Sequence, residues 1–227
     1  DDDQRGMRTL STPWQSVGSK GVVTLASKLM LALLPPQTSF FKLQVDDSNL
    51  GQLPPGFRSE MDLAFAKIER TIMDSIAASD DRVVVHQALK HLVVAGNVLV
   101  FMGKEGLKLF PLNRYAVERD GNGNVLEIVT KEKIAKKLLG DYKDIQSQPN
   151  SPGADHYGDK DECDVYTHIK RENNRMVWHQ EVEDKIIPNS RSKAPLDANP
   201  WIPLRFNTVD GEAYGRGRCE EFIGDLK

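Results

Sequence analysis

The sequence predicts an α+β fold, in which helices come first and a mainly antiparallel β-sheet or small barrel follows. Apolar residues recur at helical spacing in three segments that precede Asn97. Beyond this point, short alternating runs are separated by turn sequences such as Asp120–Asn124 and Glu172–Asn174. Helices that precede the strands, instead of alternating with them, are typical of α+β proteins.

The composition limits the class of protein. A chain of 227 residues, 39% hydrophobic and 28% charged, is long enough for one sizeable globular domain or two small ones. Its net charge of −3 excludes a generally basic nucleic-acid coat but leaves room for a local basic patch. Cys163 and Cys219 belong to no motif, so we expect reduced thiols, with one long-range disulfide as the alternative.

The first helix is the clearest single element of the sequence. Thr12 is suited to cap it, with Gln15 completing a capping box, and Pro13 fits the first helical position. Pro35 cannot continue a helix, which predicts a helix over Pro13–Leu34, roughly 33 Å long. Lys28 interrupts its apolar run, so a membrane span is not predicted.

The apolar residues of this helix predict how it is covered. Those expected on one face are Trp14, Val17, Gly21, Leu25, Leu29, Ala32 and Leu33. The last turns, Leu29–Leu34, are apolar all round and must be covered on several sides. The cover is either the chain's own core or a neighbouring subunit, and the second possibility makes Leu31 and Leu34 candidate interface residues.

The helical part is predicted to occupy residues 12–97, after a loose segment at residues 1–11. A strand-like run at Ser39–Val45 follows the first helix. Ser59, with Asp62 three residues on, is expected to cap a second helix that ends near Ala78. A third helix is expected over Arg82–Ala95, ended by Gly96.

The β-rich part is predicted to occupy residues 98–210, with a mobile loop at 141–161 and a short basic helix over Lys131–Leu139. A hairpin is expected from Asp164–Lys170 and Met176–Glu183. The other strands are expected at Val98–Gly103, Leu107–Leu112, Tyr115–Arg119, Val125–Thr130, Lys185–Ile187 and Trp201–Asn207.

Motifs that suggest chemistry fail on spacing. An EF-hand loop starting at Asp120 would need Gly and Glu where Val125 and Lys131 stand. Val17–Gly21 lacks both the order and the preceding strand of a phosphate loop. His86 and His91 are five residues apart, whereas a metal pair on a helix needs four, and nothing completes a site around His168 and His179. The sequence therefore predicts no catalytic, metal or cofactor site.

The stretch Tyr214–Glu221 (YGRGRCEE) opens the last segment, residues 211–227. Its glycines allow a sharp turn into a helix over Cys219–Lys227, whose first turn would hold two glutamates beside its positive end. Arg216 and Arg218 are suited to meet DNA phosphate, a carboxylate or a neighbouring subunit. A hinge followed by the start of a helix is the structural alternative.

Three blocks resemble the portal, or head-to-tail connector, proteins of short-tailed, podovirus-type bacteriophages. They are Thr12–Thr38, Ala88–Phe101 and Asp210–Leu226, in this order, and Tyr115–Thr130 and Asp164–Ile169 are also similar. The resemblance implies a non-enzymatic subunit of a ring, usually of twelve copies, at one capsid vertex of the virion. This chain would be the wing, ending where a long stem helix starts near Arg218.

The resemblance also implies partners. Double-stranded DNA would pass through the ring during packaging, driven by a separate terminase, and leave through it during ejection. Capsid, scaffolding and tail adaptor proteins would contact the ring, which would be assembled in the bacterial host cytoplasm without cofactors or a membrane. The residues alone leave open a nucleic-acid-binding or enzymatic domain, with phosphate contacts at Gly215–Arg218 and Lys131–Lys137.

Overall fold

A computed structural model describes residues 16–36, 38–44, 56–135, 138–139 and 162–225. Three helices are followed by two antiparallel sheets and one short helix, which confirms the predicted α+β class. Both sheets are open within these residues, so the alternative of a small barrel is not what forms. The predicted loose segment 1–11 and the whole of the predicted loop 141–161 lie outside the described residues.

Helix α1 (Val17–Leu33) starts later than predicted, with Ser16 in a non-helical conformation at its N-cap. Thr12, Pro13 and Gln15 lie outside the described residues. The residues that the chain itself buries on this helix are Ala26 and Met30, which are not among those expected on one apolar face. The exposed residues include most described members of the predicted face, namely Val17, Gly21, Leu25, Ala32 and Leu33. This helix has apolar residues on two sides, and its own domain covers only one of them.

Helix α2 (Phe57–Ala78) begins after Gly56, which adopts a left-handed conformation with φ of 100°. Ser59 lies inside the helix, so the predicted cap is wrong. None of its 22 residues is buried. Residues 39–44 form no strand, contrary to prediction, and the amide of Leu43 donates instead to the Glu69 carboxylate of α2 at 2.6 Å.

Helix α3 (Asp81–Ala95) agrees with the prediction to within one residue. It buries Ala88, Leu89, Leu92 and Val93, whose helical spacing places them on one apolar stripe. Gly96 ends it with φ of 71°, and its amide donates to the Leu92 carbonyl at 2.9 Å. A glycine reaches this left-handed conformation without steric cost, which explains the abrupt change from helix to strand.

A three-stranded antiparallel sheet forms the middle layer. Its central strand is β1 (Asn97–Gly103), flanked by β2 (Gly106–Pro111) and β9 (Trp201–Arg205). Val98 and Val100 pack with α1 and α3, whereas Leu99 packs toward the second sheet. Strand β1 is therefore covered on both faces, as its continuous apolar run requires.

The second sheet has six strands, and Trp201 belongs to the core that packs between the two sheets. Four strands follow in the order β3-β4-β5-β6, with β7 and β8 both paired to β6. Their bounds are β3 Tyr115–Arg119, β4 Val125–Ala135, β5 Glu162–Glu172, β6 Arg175–Val182, β7 Lys185–Ile186 and β8 Ser192–Pro195.

The predicted basic helix over Lys131–Leu139 is wrong up to Ala135. Strand β4 runs on through Ala135, which pairs with Glu162 of β5. Lys131 bonds Asp164 on the neighbouring strand at 2.9 Å. Cross-strand pairing with a long β5 therefore overrides a local sequence that fits a helix.

The β3–β4 turn is built around the Asp120 carboxylate. The Asn124 side-chain amide donates to its Oδ2 at 2.8 Å, and the amides of Asn122 and Asn124 donate to Oδ1 at 3.0 and 2.7 Å. Gly123 supplies the positive φ of 82°. These bonds, the Asn124 side chain first, lower the pKa of Asp120, although desolvation opposes them.

We expect Asn124→Ala to raise the pKa of Asp120 toward its ordinary value. The lowered pKa means that this carboxylate stabilises the fold above its unfolded-state pKa and stops doing so as the pH falls through its folded pKa. An NMR titration of the Asp120 carboxyl measures the change. Asn122→Ala is the matched control, since Asn122 contributes only its backbone amide. Equal Asp120 pKa values in wild type and Asn124→Ala would contradict this account.

Candidate functional site

The segment before the last helix folds back onto the corner between α3 and β1. Asn207 and Arg216 exchange backbone hydrogen bonds of 3.3 and 2.8 Å, and the Phe206 amide donates to the Gly96 carbonyl at 2.8 Å. Gly215 and Gly217 are both buried there. We call this contact, in which Gly215 and Gly217 lie against Gly96, the glycine junction.

The Asn97 side chain closes the glycine junction. It is 3% exposed, and its amide nitrogen donates to the Ala95 carbonyl at 2.9 Å and to the Gly215 carbonyl at 2.6 Å. Its Oδ1 accepts from the Gly215 amide at 2.7 Å. One side chain therefore satisfies both backbone groups of Gly215, which is 118 residues away in sequence.

The three glycines are required by space. A Cβ on Gly217 would overlap the Val94 carbonyl oxygen and lie 2.7 Å from the Gly96 nitrogen. A Cβ on Gly215 would lie 2.8 Å from the Asn207 carbonyl oxygen. Real Cβ atoms do not approach backbone this closely, so any side chain here would force the two segments apart. The glycines therefore serve a tight backbone contact, and the predicted hinge is held in place on α3 and β1.

Arg119 and Tyr214 hold the same segment from the side of the large sheet. The Arg119 guanidinium donates to the carbonyls of Ala213, Gly123 and Pro203 at 3.0, 2.9 and 2.8 Å. Burial lowers the pKa of Arg119, and the charge of Arg205 acts in the same direction. The Tyr214 hydroxyl accepts from the Val117 amide at 3.0 Å. Four parts of the chain therefore meet at Arg119.

The two arginines singled out from the sequence follow this junction, and each has a carboxylate partner. Arg216 bonds Glu212 at 2.9 Å, and Arg218 bonds Glu221 at 3.0 Å. Both side chains are about half exposed, and the guanidinium of Arg218 also lies over the rings of Phe206 and Phe222. Both arginines are therefore already paired with a carboxylate of this chain.

The last helix, α4, spans Arg218–Phe222. It starts one residue before the predicted Cys219, with Glu220 and Glu221 in its first turn as expected. The described chain continues from it as a turn through residue 225.

Leu31 and Leu34, the other predicted site residues, lie at the far end of α1. Leu31 is 61% exposed, and Leu34 is partly buried against the α1–α3 core. The Leu34 carbonyl accepts from Arg82 at 2.6 Å. Arg218 instead faces the N-terminal half of α1, so the four predicted site residues do not form one cluster.

An apolar groove separates α1 from α4. We call it the α1 groove, and its floor contains the buried Val93. Its volume is about 420 Å³. The residues that form its walls include Val17, Gly18, Gly21 and Leu25 of α1 and Cys219 and Phe222 of α4.

His168 and His179 face each other across β5 and β6 with ring centroids 5.4 Å apart. Each bonds a carboxylate, Glu127 or Glu181, and no set of three or more metal-ligating side chains converges in this part of the chain. None of the described helices is long and apolar enough to cross a membrane. Cys163 and Cys219 are both thiols, as predicted.

Comparison with known proteins gives the family. The whole chain, residues 1–227, matches the family described as bacteriophage head to tail connecting protein. It is 42% identical over 96% of its length to the portal protein of Enterobacteria phage T3, and 39% identical over its whole length to that of Escherichia phage T7. The portal protein of Enterobacteria phage SP6 is 28% identical over 96% of the chain.

The chain therefore belongs to the bacteriophage head-to-tail connector family, and it is similar to these portal proteins. It spans 42–43% of the length of these relatives. The family resemblance inferred from the three sequence blocks is confirmed.

Sequence reasoning missed Asn97 and Arg119, the two side chains that hold the junction together. At Asn97 the sequence indicates only the end of a helix, because Gly-Asn is a common helix terminator. At Arg119 the sequence shows only a charged residue at the end of a strand, directly before a turn. Neither signal points to partners 94–118 residues away.

Proposed function

We propose that this chain is the wing of a phage portal subunit, a structural part of the ring at one capsid vertex. The observation that carries the proposal is the match of the whole chain to portal proteins. We assign residues 12–97 and 98–210 to the wing and 211–227 to the start of the stem. The ring would hold about twelve subunits in the virion, a number taken from the family resemblance and not from the structure.

We further propose the partners and the absence of catalysis that this role entails. Double-stranded DNA would pass the ring, moved by a separate terminase, and the ring would contact capsid, scaffolding and tail adaptor proteins after assembly in the host cytoplasm. A negative net charge suits passage, because many uncompensated lysines and arginines would bind phosphate tightly. Arg216, Arg218 and Lys131 each pair with a carboxylate, which also reduces the positive charge available to bind phosphate.

The exposed apolar surface supports an assembling protein. Leu31 and Leu33 at the end of α1 are more than half exposed, and α2 buries no residue at all. An apolar helix face of this kind is normally covered in the working protein. We therefore assign Leu31 and Leu34, together with Arg218 beside the α1 groove, to subunit contacts.

We expect the full-length protein to form closed rings, and pure protein to hydrolyse no nucleotide. Native mass spectrometry and electron microscopy of this chain, and of a version extended as far as its relatives, measure assembly directly. Rings in the extended version support the proposal even if the shorter chain stays monomeric. Monomers in both, or steady ATP turnover by pure protein, would contradict it.

A further inference from the structure

Two different apolar surfaces remain uncovered by the residues that the structure describes. The first is the α1 groove. The second is a stripe on α2, formed by Phe57, Met61, Ala64, Ile68 and Ile72, which we call the α2 stripe. Phe57, Ile68 and Ile72 are 43%, 47% and 38% exposed. Their spacing of three and four residues places them along one side of the helix.

We propose that the α2 stripe of one subunit docks in the α1 groove of the next copy of this chain. This inference rests on the proposed ring and specifies which two surfaces make its contact. The groove and the stripe are different surfaces, so the contact is head-to-tail. Such a contact can repeat around an axis and close into a ring, whereas a contact between two copies of one surface stops at a dimer.

The shape of the groove suits a helix. Gly18 and Gly21 lie on its α1 wall, and a Cβ at either position would meet no atom within 4 Å. Small residues at a contact let two helix axes approach closely. No residue of the same chain's α2 is among those that line the groove. Among the described residues, α2 therefore leaves the groove open to a helix from another subunit.

Charge favours α2 over a second α1 as the occupant. Helix α1 carries Lys20 and Lys28 and no acidic residue. Helix α2 carries four acidic and three basic residues, so its net charge is negative by one. Two α1 helices would bring only positive charges together, which is unfavourable, whereas α1 against α2 brings a positive helix to a slightly negative one.

Cys219 on the groove wall allows a direct test by disulfide formation in the full-length protein. The test protein carries Cys163→Ser and Ile68→Cys, which leaves native Cys219 as the only other described thiol. On mild oxidation we expect a ladder of covalent oligomers beyond the dimer. Two cysteines can bridge only where their Cα atoms come within about 7 Å, so a ladder reports close approach.

Two control variants decide the result. Leu63→Cys, 62% exposed on the opposite side of α2, should give no ladder, and Cys219→Ser should abolish the ladder from Ile68→Cys. An equal ladder from Leu63→Cys, or dimers that persist in Cys219→Ser, would overturn the proposal. Rings that form without any ladder would contradict the contact between the α2 stripe and the α1 groove but would still support the proposed ring. Absence of rings in the unmodified full-length protein would contradict both proposals.

A second pair of variants measures assembly without cross-linking. Ile68→Glu would place a charge in the groove and should raise the dissociation constant of the subunit contact at least about tenfold, since each 1.4 kcal/mol of lost contact is tenfold. The fraction of subunits in rings at a fixed concentration should fall as a result. Leu63→Glu should leave this fraction unchanged. Circular dichroism confirms that both variants fold. Equal assembly of folded Ile68→Glu and Leu63→Glu would overturn the proposal.

Discussion

Gly217→Ala is expected to lower the free energy of unfolding by about 3 kcal/mol or more. A Cβ at this position would overlap the Val94 carbonyl oxygen at the end of α3. Both sides of this contact are backbone, so no side-chain rotation can relieve it, and overpacking of this kind costs about 1–3 kcal/mol or more. Denaturant unfolding followed by circular dichroism measures the loss.

Gly224→Ala is the matched control, because a Cβ there would meet nothing within 4 Å. We expect its unfolding free energy to stay within about 0.5 kcal/mol of wild type. The contrast separates the close backbone contact from any general effect of glycine on chain flexibility. If Gly217→Ala is as stable as Gly224→Ala, the close approach of Gly217 to α3 is not a feature of the folded protein.

The sequence predicted well those elements whose signals are local. Helix α3 and the hairpin of β5 and β6 appear where spacing and turn residues placed them. Gly96 and Asn173 adopt the left-handed conformations that such turn residues accept. These predictions succeed because helix ends and tight turns depend on a few neighbouring residues.

Local signals failed where distant contacts decide the structure. Lys131–Ala135 continues a strand because β5 supplies its pairing partner, and β8 forms in a loop rich in proline because β6 offers an edge. Helix α1 has two apolar faces, so its spacing alone does not indicate which of them the chain itself buries. Only its packing against α3 shows that Ala26, and not Leu25, points inward.

The candidate site divides in the same way. Glycines and arginines near residue 216 were recognised as a turn into a helix, and that turn exists. Their partners, the side chains of Asn97 and Arg119, bond backbone carbonyl and amide groups. Backbone groups are common to nearly all residues, so a sequence does not show which of them a side chain will bond. The junction is therefore fixed by side chains whose role becomes visible only when the chain is folded.

Asn97→Ala is expected to lower the free energy of unfolding by about 2–4 kcal/mol. It would leave both the amide and the carbonyl of buried Gly215 without partners, and each such group costs about 1–3 kcal/mol. Denaturant unfolding measures the change, and Asn122→Ala on the exposed β3–β4 turn should have little effect. A loss no larger than that of Asn122→Ala would show that Asn97 does not close the junction.

Asn97→Asp tests the same hydrogen bonds through pH. One carboxyl oxygen can accept from the Gly215 amide, but the other faces the Gly215 and Ala95 carbonyls and can donate to one of them, and only when it is protonated. Burial and these carbonyls should raise the folded-state pKa of the new carboxyl above its unfolded value. Its stabilisation is then present below the unfolded pKa, near 4, and is lost as the pH rises through the folded pKa. We therefore expect Asn97→Asp to lose stability relative to wild type on going from about pH 4 to 7, whereas a constant difference across this range would contradict the assigned donor geometry.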